Sequence, residues 1–200
     1  MELTPCTIIG KTIRLEPLTL DHYEACCEAG LFEGLFRWYP EPVHSREDMY
    51  RFIEKALLHQ TQNTALPFAT IKLDSGKLIG STRFGSISHR DRRAEIGWTW
   101  ITPSEQRTPA NTEAKYMMLQ HAFETLDCER VELKTHALNL KSRAAILRIG
   151  AVQEGILRHH MLTDDGGFRD TVYFSVLKEE WPGVKARLSG MLNRSPKALL

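Results

Sequence analysis

Long apolar runs are missing from this 200-residue chain: no stretch approaches the ~18 residues that a membrane-spanning helix needs. Charge of one sign is equally scarce. Twenty-six Lys and Arg against 25 Asp and Glu leave a net charge of +1, so no global field draws the chain toward nucleic acid or an anionic membrane. Cysteine is limited to Cys6, Cys26, Cys27 and Cys128. They show no C-x-x-C or zinc-like spacing, and the adjacent Cys26 and Cys27 are poorly placed to bridge each other, so all four read as reduced thiols. There is no H-E-x-x-H, and neighbouring His159 and His160 on a strand point to opposite faces, so no metal site is expected. The first residues, Met1-Glu2-Leu3-Thr4-Pro5, lack the basic and apolar regions of a secretory signal. The expectation is a cytoplasmic protein. Internal repeats and low-complexity segments are also absent.

What is present suits one core. A hydrophobic content of 42% over this length fills a single domain, expected over 1–192 with a flexible tail over 193–200. Thr12–Leu18 reads as a strand, and Thr19 or Asp21 caps a helix to about Ala29. An aromatic and proline-rich loop, Phe32–Val43, follows. Ser45 and Asp48 form a capping-box entry to a helix through Gln62, with Met49, Phe52, Ile53, Ala56 and Leu57 at helical spacing. Phe68–Leu73, Leu78–Ser88 and Arg93–Ile101 read as an antiparallel meander. A helix over Pro109–Leu126, apolar on two faces, calls for burial against a sheet. Then come strand Val131–Ala137, helix Lys141–Ile149 stopped at Gly150, a hairpin of Gln153–Leu162 with Phe168–Leu177, and a helix over Glu179–Leu192. The class is mixed α/β.

The stretch Glu95–Gln106 carries the strongest functional signal. A strand ends at Pro103 and delivers Gln106-Arg107-Thr108-Pro109-Ala110-Asn111 to the start of the long helix. The first amides of a helix have no intrahelical partner and the macrodipole favours negative charge there, so this turn is a phosphate site in waiting. Thr108 suits the N-cap and Pro109 the first helical position. The amides of Arg107, Ala110, Asn111 and Thr112 remain as donors.

This segment resembles the pyrophosphate loop of the GNAT N-acetyltransferases, Gln/Arg-x-x-Gly-x-Gly/Ala, with Gln106 at the first position. It departs from the pattern at Pro109 and Asn111. Downstream, Arg130–Thr135, Asn139–Ile146, Gly150-Ala151 and Glu154–Arg158 resemble, in order and spacing, the RimJ and RimL ribosomal-protein branch. The resemblance covers about Thr12 to Leu188. It implies the GNAT fold, a mostly antiparallel seven-stranded sheet flanked by helices. It also implies acetyl-CoA as co-substrate, held along Ile101, Gln106, Arg107, Thr108, Ala110, Asn111 and Thr112 and by Asn139 and Arg143. No metal is implied, and a homodimer is compatible with it.

Acetyl transfer to an amine needs a neutral amine and a proton for the departing thiolate. Glu95, eleven residues before Gln106, matches the strand on which GNAT histone acetyltransferases carry a catalytic glutamate. Burial beside Ile96, Trp98 and Trp100 would suit it to a base; a strand glutamate paired with Arg83 or Arg93 is the competing reading. His159 or His160 is a second base candidate. The tyrosine acid of the family falls at Ile146 and is absent. Ser142, in the place of the branch's serine, is left as a group near the sulfur, or as the opening of the helix at Lys141. Asn139 reads as a pantetheine-binding amide or a turn former. Arg169 and Asp170 are expected to pair with each other. Trp38 and Tyr39, in the loop before the second helix, are the candidate acceptor-binding residues, with a hydrophobic plug as their alternative. An α-amine (pKa ~7.7–8) asks less of a base than a lysine (~10.4), so the expected acceptor is a protein N-terminus. The alternatives are a small-molecule amine acetyltransferase and a CoA-binding module without turnover.

Overall fold

In the computed structural model, which describes residues 3–193, one sheet of eight strands runs in the order β1-β2-β3-β4-β5-β6-β8-β7. The strands are β1 Ile8–Ile9, β2 Ile13–Pro17, β3 Leu66–Lys72, β4 Leu78–Ser88, β5 Arg93–Ile101, β6 Arg130–His136, β7 Val152–Leu162 and β8 Phe168–Leu177. All neighbours are antiparallel except β5 and β6, which pair in parallel. The eighth strand, one more than the resemblance implies, is the two-residue β1, joined to β2 through Ile8↔Leu15 and Ile9↔Arg14. It is too short to announce itself in sequence. The expected tail lies outside the described residues from position 194 onward.

Helices cover both faces. Helices α1 (Tyr23–Gly30) and α2 (Arg46–Thr61) share a core with Ala69, Ile71, Leu78 and Trp100. Helices α3 (Ala110–Gln120), α4 (Leu140–Ile149) and α5 (Trp181–Leu192) contribute to the other core, with Leu66, Phe68, Phe84 and Ile96. β3 therefore shows no polar face: only Lys72 escapes burial, since Leu66 and Phe68 point to one core and Ala69 and Ile71 to the other.

The capping box opens α2 as expected, with the Ser45 hydroxyl accepting from the Asp48 amide. Gly150, at φ +104°, ends α4 in the left-handed conformation that glycine adopts without a Cβ penalty. The long helix differs from expectation at both ends. Pro109 has helical dihedrals (−62°, −18°), but the regular span begins at Ala110, and past Gln120 the helix widens into a π turn over His121–Thr125.

Glu113 fixes this helix to the sheet. Its carboxylate, 4% exposed, accepts from the backbone amides of Lys11 and Thr12 and from the Thr12 hydroxyl, all at the start of β2. Glu113→Ala strips those part-buried donors of their charged acceptor. It should lower stability by about 1–3 kcal/mol, read as a drop in the urea unfolding midpoint with unchanged slope.

Candidate active site

The site begins where the sheet parts. β5 and β6 pair only through Arg93↔Arg130, Ala94↔Val131 and Glu95↔Glu132. Beyond Glu95, β5 keeps its partner β4 as far as Gly80↔Ile101, while β6 keeps β8 as far as His136↔Thr171. A cleft of about 830 Å³ opens between the diverging strands.

A bulge in β5 shapes it. The register with β4 shifts between Arg83↔Gly97 and Ser81↔Trp100, and Trp98 there has φ +48°. One inserted residue reverses the side-chain phase of the strand. Ala94 and Ile96 face the core of α3, whereas Trp100, of the same parity, faces the core of α1 and α2. The Trp98 ring folds over Gly85, where a Cβ would stand 2.3 Å from it.

At one end lies the helix start. Arg107 has φ +65°. The Thr108 hydroxyl donates to the Glu105 carbonyl (2.8 Å) and accepts from the Ala110 amide (3.3 Å), which braces the turn one residue before the N-cap, a position held by Pro109 rather than by Thr108 as expected. The amides of Arg107, Thr108, Asn111 and Thr112 remain without a partner among the described residues, and so does the Arg107 side chain. Gln106 spans from the Ile101 carbonyl (3.1 Å) to Lys141 Nζ (2.6 Å), and Arg148 donates to the Thr112 hydroxyl (3.0 Å). Arg107, Lys141 and Arg148 all line the cleft beside the open amides. The donor set suits a phosphate, and the buried Asn111 Oδ1 is left unpaired there.

Asn139 caps α4: its Oδ1 accepts from the Ser142 amide at 3.1 Å. Both residues line the cleft. Ser142 thus sits inside the first turn of α4, not at its cap. Three expected contacts are not brought to the cleft wall. Ala110 gives its amide to Thr108, Thr112 turns its hydroxyl to Arg148, and Arg143 ties the Ala137 carbonyl (3.1 Å) to Gln153.

Glu95 lies at the other end, 3% exposed. It is not surrounded by apolar groups alone, nor paired with Arg83 or Arg93: Lys134 Nζ stands 2.9 Å from Oε2 and the Ser86 hydroxyl donates to it at 3.0 Å. Arg83, also 3% exposed, is stacked between the rings of Trp98 (4.6 Å) and Phe52 (4.9 Å). Arg169 and Asp170 do not pair. The Arg169 guanidinium holds the Thr171 hydroxyl (3.1 Å) and the Trp38 carbonyl (3.0 Å), while Asp170 accepts from the His159 amide (2.7 Å). Burial lowers both buried arginines, Arg83 to about 10. Trp38 and Tyr39 line the cleft as expected; Trp38 packs on His136 and Tyr39 on Phe36, with the Tyr39 hydroxyl buried and unpartnered. His159 stacks on Phe168 near the hairpin tip. His160 sits edge-on to Tyr173, its pKa lowered first by burial and then by Lys134 and Arg169.

The residue that sequence reading passed over is Lys115. It is 7% exposed, lines the cleft from α3 and donates to the Thr99 hydroxyl at 2.7 Å. No carboxylate pairs with it among the described residues, and burial pushes its ammonium down to about 7. Asn111 and Lys115, one turn apart on a helix otherwise buried, were the available signal.

Lys115 makes stability depend on pH. Below about 7 folded and unfolded chains both carry the proton, and the burial penalty is complete. Between there and the ordinary lysine value of ~10.4, the unfolded chain binds a proton that the folded chain has lost, so stability rises with pH. Urea unfolding at pH 7 and pH 9 should show this gain in wild type and its loss in Lys115→Met. An equal pH dependence in both would refute the buried-amine assignment.

The family profile described as Acetyltransferase (GNAT) domain matches residues 12–152. YdaF of Bacillus subtilis, provisionally named a ribosomal N-acetyltransferase, is 36% identical over 113 residues, 56% of this chain and 61% of its own length. The ribosomal-protein-serine acetyltransferase of Escherichia coli is 25% identical over 82% of this chain and 92% of its own. The crystal structure of a GCN5-related N-acetyltransferase from Brucella melitensis superposes with a TM-score of 0.87 at 34% identity, covering 97% of this chain and 87% of that one. With the parted strands, the open helix start and these relatives together, the chain belongs to the GNAT family of acetyl-CoA-dependent acetyltransferases, in its RimJ/RimL-like branch.

Proposed function

We propose that this enzyme acetylates the α-amine of a protein N-terminus by direct transfer from acetyl-CoA within one cleft. The observation that carries the acceptor assignment is the charge of the Glu95 end. Lys134, Arg83 and Arg169 are cationic, and the one carboxylate among them, Glu95, is already paired with Lys134. A positive surround disfavours an ammonium ion. An α-amine at ~7.7–8 loses its proton there readily, whereas a lysine at ~10.4 must be deprotonated against a far larger cost. The name of the Escherichia coli relative points the same way.

In this reading the open amides of Arg107, Thr108, Asn111 and Thr112 hold the pyrophosphate, with Arg107, Lys141 and Arg148 as counter-charges. Ile101, Gln106 and the Asn139 amide group flank the pantetheine path. Arg143, turned away from the cleft, acts on the path by fixing the turn before α4. Trp38 and Tyr39 bound the acceptor, in a loop that Arg169 holds through the Trp38 carbonyl. Glu95 takes the amine proton directly or through one water. The Ser142 hydroxyl, a weak acid, hydrogen-bonds the sulfur.

Two measurements test this. CoA in excess should raise the melting temperature by mass action and adenosine much less; Arg107→Glu, which reverses the charge at the phosphate loop, should remove most of the shift. No stabilisation of wild type at millimolar CoA would defeat the reading. For the chemistry, peptides with a free α-amine should be acetylated and Nα-blocked lysine peptides should not, by mass spectrometry. Glu95→Gln should cut turnover of the former by roughly 10²–10⁴, a loss that shrinks as rising pH deprotonates more of the acceptor. Preference for lysine peptides, or full activity of Glu95→Gln at neutral pH, would contradict the assignment.

A further inference from the structure

We propose that Lys115 is the acid of the reaction, supplying the proton that the CoA sulfur takes up as it leaves. The proposal rests on the placement of acetyl-CoA in this cleft, and it assigns a group that neither the resemblance nor the relatives name. The family's tyrosine position holds Ile146, and a serine hydroxyl is a far weaker acid than a thiol, so proton transfer from Ser142 runs uphill. Some other donor must serve.

The bulge at Trp98 determines which one is available. Before it, Glu95 stands on the side of α2, as does Arg83, stacked on Phe52 of that helix. After it, the reversed phase turns Thr99 to the side of α3, where its hydroxyl meets Thr82 Oγ1 (2.7 Å) and Lys115 Nζ (2.7 Å). The base therefore reaches the cleft from one face of the sheet and the ammonium from the other. The second is also the face on which α3 presents its phosphate-binding start. An amine that enters past Trp38 and Tyr39 approaches from the side of Glu95, and the sulfur departs toward the side of Lys115.

The other charged groups of the cleft leave Lys115 unchallenged for this role. They are Glu95 on β5, Arg107 in the loop, Lys134 on β6, Lys141 and Arg148 on α4, and Arg169 on β8. Glu95 is held by Lys134, Lys141 is tied to Gln106 and Arg148 to the Thr112 hydroxyl, and burial raises the Tyr39 phenol further above a thiol. Burial without a counter-ion has brought the Lys115 ammonium to about 7, below the ordinary thiol value of ~8.5, so its proton passes to a thiolate downhill. The balance is complete. The amine nitrogen bonds to the acetyl carbon, the carbon–sulfur bond breaks, Glu95 receives the amine proton, and the sulfur receives that of Lys115; solvent then restores both side chains.

Lys115→Met and Lys115→Arg test this. Wild-type kcat should fall on the alkaline side as Lys115 loses its proton. Both variants should lose roughly 10² or more in kcat with little change in acetyl-CoA affinity, and should lack that alkaline limb. A readout free of turnover is the thiolate absorbance of bound CoA titrated with pH. In wild type the neighbouring ammonium should lower the thiol pKa below that of free CoA, and Lys115→Met should abolish the shift. Since Lys115→Met removes an unpaired buried charge, it should melt no lower than wild type. Unchanged kcat and pH profile in the variants, a loss confined to acetyl-CoA affinity, or an unshifted bound thiol in wild type would each overturn the role of Lys115. If wild type binds no CoA, that role falls together with the acetyltransferase reading of the cleft.

Discussion

Everything at this site depends on the release of one pairing, that between β5 and β6. The two strands hold together through three residue pairs ending at Glu95↔Glu132, and each then follows its other neighbour. A parallel pair that separates leaves backbone groups facing the gap, where they must find water or a ligand. The gap survives because each half is secured on its own: β5 by β4, β6 by β8, and both by the helices on their faces. The cleft is thus a structural consequence of topology, and its walls are strand edges able to bind an extended chain of amides such as pantetheine.

Charge is sorted along that cleft. At the helix start the positive groups, Arg107, Lys141 and Arg148, stand beside amides left open by the geometry of α3, and they match a polyanion. At the far end Arg83 and Arg169 are buried and Lys134 half-buried, with Arg83 held between the rings of Trp98 and Phe52. There they raise the cost of any further cation. In the proposed reaction the same sign of charge attracts one substrate and favours the neutral form of the other. Lys115 has neither a ring nor a carboxylate against it among the described residues, and burial lowers its pKa to about 7.

Contiguous features were legible in the sequence. The Ser45–Asp48 capping box and the stop at Gly150 depend on a few adjacent residues, and the structure forms both, while the start of α3 falls one residue later than Thr108 and Pro109 suggested. The acidic, aromatic and amide residues expected at the cleft came from motif spacing, and most of them line it. What stayed hidden depends on partners far apart in the chain. Glu95 with Lys134, and Arg169 with the Trp38 carbonyl, are contacts made across strands, and no local pattern marks them. The expected pairing of Arg169 with Asp170 failed because neighbours on a strand face opposite sides. Lys115 was submerged in a helix counted as apolar, since periodicity records the many residues that pack and overlooks the one that does not.

The bulge at Trp98 was invisible for a different reason. A positive φ usually announces itself as glycine, yet here a tryptophan adopts it, at a cost of order 1–3 kcal/mol for such a conformation. The compensation is local: its ring lies over Gly85, with Arg83 against its face. Were β5 regular here, Glu95 and Thr99, of one parity, would stand on the same face, and Thr99 would turn away from Lys115 on α3. The inserted residue turns a strand with one face of chemistry into one with two. In the proposed reaction the base and the acid then approach a single acetyl group from opposite faces of β5.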